Sequence, residues 1–204
     1  MDNVFSLSAR RLAALIALLA IGSLIAQSIG NVARDGSLLA GWGMMLRFFT
    51  IWSNVAAGVV FAWIAWRGRI EPRVPFALAA ALVIIAGVYH VLLASAHDPQ
   101  GMDWWTNIAH HTLVPAGGVL WWLLFSRDGL AGWRSVPIVT LVPLVYGAFA
   151  LALGEATGFY PYFFLDLPTL GLGTVLANMV GLAILFMLVA AALLALRRLI
   201  RAAA

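Results

Sequence analysis

The sequence predicts an all-α, polytopic membrane protein: a bundle of six transmembrane helices built by residues 1–204 as one domain. Two observations carry this expectation. Of 204 residues, 64% are hydrophobic and only 10% charged, whereas a soluble domain carries roughly 25% charged residues. So few charges cannot cover a globule, so most of the chain must face lipid. Six runs also reach about the 18–20 apolar residues that cross a bilayer core, and none shows the period-two alternation of a barrel strand. Only short loops are left over, with no room for a nucleotide-binding fold or a large soluble lid.

The first run covers 12–29 and is entered from Ser6, Ser8, Arg10 and Arg11. A basic start before an apolar run also describes a signal peptide. This run lacks a clear small-x-small cleavage site, so a retained anchor is expected. The later runs cover 44–66, 74–96, 105–125, 136–153 and 173–196. Turn chemistry separates them at Asp35-Gly36, Glu71-Pro72, Asp98-Pro99, Asp128-Gly129 and Asp166-Leu167-Pro168. Pro115 and Pro143 fall inside the fourth and fifth runs, where a kink is tolerated if neighbours satisfy the freed carbonyls.

Arginine placement sets the expected orientation. All twelve basic residues are Arg and the net charge is only +4. They read as topology signals, not a polyanion-binding patch, so no nucleic-acid partner is expected. One side receives every Arg except Arg34 and Arg47, which places both termini in the cytoplasm by the positive-inside rule. In a bacterial host that membrane is the inner one. With no cysteine there is no disulfide, thiolate metal site or cysteine nucleophile.

Polar groups inside a bilayer are costly, so their positions carry information. Counted along their runs, Thr50, His90, His111 and Asn178 each lie about six residues, or roughly 9 Å, from the outer interface. Arg47, Asn54, Asn107, His110 and Tyr146 fall within a turn or two of that layer. Arg47, Thr50 and Asn54 are spaced to share one helix face. Asn107 is within reach of either His110 or His111, two rings that diverge by about 100° around a helix. Each residue also has a plainer reading. A membrane Thr is commonly back-bonded to its own helix, and a membrane His is often an interhelical hydrogen bond. Trp42, Trp104 and Trp105, and on the other side Trp63 and Trp66, read as interface anchors. The purely apolar inner half reads equally as an acyl-chain slot or as helix packing.

Three blocks, Arg47-Phe-Phe-Thr50-Ile-Trp-Ser-Asn54, His110-His111-Thr112-Leu-Val-Pro115 and Tyr160-Pro161-Tyr-Phe-Phe-Leu-Asp166, occur in the order and spacing of one family. The chain resembles the androgen-induced, androgen-dependent membrane protein family, and its microbial six-span branch in particular. Animal members are threonine hydrolases that cleave fatty-acid esters of hydroxy fatty acids. The resemblance implies Thr50 as nucleophile and His111 as base. Ile51-Trp52-Ser53-Asn54 after the threonine and the doubled histidine depart from the animal pattern.

The chemistry is coherent. A threonine hydroxyl attacks an ester only if a base removes its proton, and neutral His is the usual partner. The developing oxyanion needs a donor in a dry site, for which Arg47, His90 and Asn178 are the candidates. Arg47 has a second possible role, holding a fatty-acid carboxylate. Asp166 is the first choice to orient His111, with Asn107 second. The expected partner is a lipid substrate drawn from the bilayer, with no cofactor and no metal. Two alternatives stay open. One is a non-enzymatic carrier of lipids or small molecules. The other is a metal-dependent hydrolase in which His90, His110, His111 and an outer Asp hold zinc, although no His-x-x-x-His or His-Glu pair supports it.

Overall fold

A computed structural model describes residues 4–126 and 132–202; Arg127 and the Asp128-Gly129 turn lie outside them. All regular structure among the described residues is helical, and six helices are long and apolar enough to cross a membrane. The chain is an all-α, multi-pass membrane protein. Its contacts group into two compact units, residues 1–131 and 132–204.

The first unit holds four spans. Helix α1 (Leu7–Asp35) starts where the Ser6 hydroxyl accepts the Ala9 amide and ends at Gly36 in the left-handed region. It outruns the expected 12–29 by more than a turn at its N-terminal end. Helix α2 (Leu38–Met45) is short. Helix α3 (Phe49–Arg67) follows, and then α4 (Arg73–Val88), which continues into a π turn, Tyr89–Leu93. The fourth span is α5 (Met102–Ile108), a second π turn (Ala109–Leu113) and α6 (Val114–Phe125).

Small residues let these helices approach. Ala9, Ala13, Ala17 and Ala20 recur near every fourth position of α1 and are almost wholly buried. Helix α1 packs on α2, α3, α5 and α6 along its length, which is how small residues promote membrane helix packing. A Cβ on Gly58 of α3 would meet Ile21 at 3.0 Å. Gly118 of α6 lies against Leu82 and Phe61, with no space for a Cβ. Phe61, Ile64, Phe76, Leu82, Trp121 and Trp122 lie toward the end of this unit that carries Arg67 and Arg73, and all are fully buried. Trp63 and Trp66 stay exposed, with the Arg67 guanidinium over both rings.

Two local features differ from expectation, each for a physical reason. The second span begins at Phe49, not at 44, because Phe48 is extended (φ −102, ψ 134) and separates α2 from α3. Arg47 therefore sits in the turn before the helix and does not share a helix face with Thr50 and Asn54. The fourth span changes register just before Pro115. Proline has no N–H and crowds the carbonyl four residues back, which here is His111, inside the π turn. The Val114 amide bonds Ala109, five residues back.

In the second unit, a 3-10 segment (Trp133–Thr140) leads into α7 (Leu141–Thr157), which ends at left-handed Gly158. Helix α8 (Leu167–Ala202) packs on both and is interrupted at Gly171 (φ 74, ψ 157). The Asp166 carboxylate accepts the Thr169 amide at 3.2 Å, capping α8. Tyr160 donates to Glu155 at 2.9 Å, and Asn178 donates to the Phe164 carbonyl at 2.9 Å, tying the α7–α8 connection down.

Candidate functional site

Thr50 lies in the first turn of α3, where no helical carbonyl stands one turn before it. Back-bonding to its own helix is thus closed to it. Its Oγ1 instead faces His111 Nε2 at 3.4 Å. That is long for a hydrogen bond, and within the looser range seen for nucleophile–base pairs before substrate closes on them.

The other side of the ring decides what this contact can do. His111 Nδ1 lies 3.1 Å from the Asn107 carbonyl. A carbonyl only accepts, so Nδ1 carries the proton in the neutral ring and Nε2 keeps its lone pair toward Thr50. The threonine hydroxyl then donates to a histidine held in the tautomer that a general base requires. Tyr89 fixes the ring plane by stacking on His111, with centroids 4.0 Å apart and planes 18° apart. The Asn107 side chain donates to the Tyr89 hydroxyl at 2.5 Å. The Asn107 backbone holds His111, the Asn107 amide holds Tyr89, and Asp166 is the cap of α8.

His110 points elsewhere, as the divergence of neighbouring helical side chains requires. It is buried, and its Nδ1 lies 3.4 Å from Ser23 Oγ. Ser23 gives its only hydrogen to the Ala20 carbonyl, so the histidine nitrogen is the donor. That leaves His110 Nε2 as a buried acceptor with no partner among the described residues. His90 is exposed and pairs with the Thr112 hydroxyl at 3.0 Å. The three rings thus address three different hydroxyls, and no group of three His, Asp or Glu among the described residues is arranged to hold a metal ion.

Asn54 is fully buried one turn below Thr50. Its Nδ2 donates to the Thr50 carbonyl at 2.8 Å and to the His110 carbonyl at 3.2 Å. Its Oδ1, like Asn107 Oδ1, is buried without a partner among the described residues. Unpaired buried acceptors are uncommon, and here they gather in the residues around Thr50 and His111. Arg47, in the turn before α3, is half-buried. Asn178 belongs to the second unit and holds its connecting loop, as described above.

The structure thus brings Thr50, Asn54, Asn107, His110 and His111 together and turns His90 aside. Sequence reasoning missed Tyr89, Ser23 and both π turns. Tyr89 carried a signal as the neighbour of His90 in an otherwise apolar run, and Pro115 carried one for the register change. Nothing in the sequence marks the first π turn. Compared with family models, curated proteins and solved structures, the chain gives no match.

Proposed function

We propose that this protein is an intramembrane lipid-ester hydrolase with Thr50 as nucleophile and His111 as general base. The observation that carries the reading is the ordered pair itself: Thr50 Oγ1 on His111 Nε2, with Nδ1 committed to the Asn107 carbonyl. In the first step Oγ1 bonds the ester carbonyl carbon and its proton passes to Nε2. The intermediate collapses, the alcohol leaves with that proton, and the acyl group stays on Thr50. Water then attacks the acyl-threonine, giving its proton to His111. The free acid departs and the Thr50 hydroxyl is restored. The resemblance of the three sequence blocks makes fatty-acid esters, including those of hydroxy fatty acids, the first substrates to try. Thr50 lies in the first turn of α3, where backbone N–H groups have no helical carbonyl to bond, so its amide is a candidate donor for the developing oxyanion.

Purified parent and Thr50→Ala proteins, assayed on lipid esters, test the reading. Thr50→Ala is expected to lose all turnover and all labelling by a serine-hydrolase probe, while Thr50→Ser keeps a measurable rate. A monodisperse Thr50→Ala protein working at the parent rate would sink the mechanism. The arginine asymmetry supports a topology with both termini in the cytoplasm and, in a bacterium, a place in the inner membrane. Arg69 and Asp98 lie at opposite ends of the third span. Cysteines introduced by Arg69→Cys and Asp98→Cys should label from opposite faces of intact cells, and equal labelling from outside would refute the orientation.

A further inference from the structure

The second π turn changes which carbonyls are free. In a regular α-helix the Val114 amide would bond His110, four residues back. Here it bonds Ala109, so the His110 carbonyl loses its helical partner in the middle of a membrane span. A released carbonyl must be satisfied by a neighbour. The group that reaches it is Nδ2 of Asn54, from α3. The second hydrogen of that amide goes to the carbonyl of Thr50.

We infer that Asn54 is a positioning residue that clamps the turn bearing Thr50 to the π turn bearing His111, through the carbonyls of Thr50 and His110. This inference rests on the Thr50–His111 reading and adds to it the means by which the two groups are held in reach. The bond to Thr50 lies within α3 and sets the orientation of the planar amide, and the bond to His110 crosses to the π turn. Thr50 itself bears one clamped carbonyl, and His111 directly follows the residue that bears the other. No solvent reaches Asn54, so nothing replaces the lost donor if it is removed. Asn54 touches neither reacting atom and acts only through the two backbones. Restoring regular α geometry would return His110 to the Val114 amide and remove the clamp's partner. On this view the π turn supplies the contact by which α3 is aligned, consistent with the frequent occurrence of such turns at functional sites.

The test needs no turnover. The chain has no cysteine, so Thr50→Cys introduces a single thiol facing His111. A base in contact promotes the thiolate and speeds its alkylation. The rate with iodoacetamide is measured against pH on purified, monodisperse protein, with the thermal midpoint followed in parallel. Adding His111→Ala to Thr50→Cys is expected to slow alkylation at pH 7 about tenfold and to move the pH profile toward that of an ordinary thiol. Adding Asn54→Leu should slow it by a similar factor. Asn54→Ser covers the case in which the leucine variant does not fold. A serine hydroxyl back-bonds within its own helix, leaves His110 unclamped, and should be as slow as leucine. Ser28→Ala, which removes a buried hydroxyl bonded to the Leu24 carbonyl within α1, should leave the rate within twofold. If His111→Ala slows the thiol but a folded Asn54→Leu or Asn54→Ser protein reacts within twofold of Thr50→Cys alone, the clamp is refuted and the pair stands. If His111→Ala itself has no effect, the pair is refuted, and the clamp with it.

Discussion

The two units of this protein use their polar side chains differently. In the first, polar bonds join segments far apart in the chain: Thr50 with His111, Asn54 with His110, Ser23 with His110, Gln27 with Thr106, and Arg34 with Asp103. In the second, the bonds of Glu155 with Tyr160, Asp166 with Thr169 and Asn178 with Phe164 hold the connection between α7 and α8. The contrast is clearest in the asparagines. Asn54 is wholly buried and spends its amide on two carbonyls of different helices, whereas Asn178 is half-buried and holds one loop carbonyl. A polar group in a membrane span can therefore cap a connection or set the geometry between helices. Depth in the bilayer does not separate the two cases; the identity of the acceptor does.

Substitutions on either side of the contrast should break it unequally. The largest expected effect is His111→Ala, which should cost at least about a hundredfold in ester turnover if the ring is the general base. His110→Ala, which removes the Ser23 contact but leaves the Thr50–His111 pair, should cost less in the same assay. Equal losses would mean that the histidines act together, against the separate partners they have here. Next is Gly118→Val. Its side chain would enter the space of Leu82 and Phe61, and overpacking of this kind costs about 1–3 kcal/mol. A thermal midpoint unchanged in detergent would show that the first unit's core is looser than its packing implies.

Smaller effects sharpen the comparison. Asn178→Leu should lose about 1 kcal/mol, the usual worth of one hydrogen bond, with turnover within twofold of the parent. A loss of turnover like that of His111→Ala would make Asn178 part of the chemistry. The smallest effect belongs to Arg34→Gln. The Arg34–Asp103 pair is 2.9 Å long but both side chains are well exposed, and exposed pairs are worth about 0–1 kcal/mol. A shift of the thermal midpoint larger than that of Asn178→Leu would show that this pair does more than bridge α1 and α5.

Much of the architecture was legible because membrane insertion is governed by composition and length. The run at 74–96 needed only its hydropathy to be read as a span, and the helix and its π turn occupy 73–93. The depth argument found Thr50 and His111, because a hydroxyl and an imidazole in an apolar run stand out in a sequence. It also grouped His90 with them, which the structure does not, since depth says nothing of azimuth. The break at Phe48 was illegible: no Pro or Gly marks it, and the alternative was one continuous helix of acceptable length.

The sequence by itself determined that the chain is helical, that it crosses a membrane, and which few polar residues had to be accounted for there. These follow from hydrophobic burial and the cost of unsatisfied polar groups, which depend on residue type and run length. Only the tertiary structure decided which nitrogen of His111 faces Thr50, that a backbone carbonyl orients the ring, and that Asn54 bridges the two segments. Those outcomes depend on a change of helical register of one residue. Such a change swaps one backbone hydrogen bond for another at nearly equal energy, and only the packing of a neighbouring helix chooses between them.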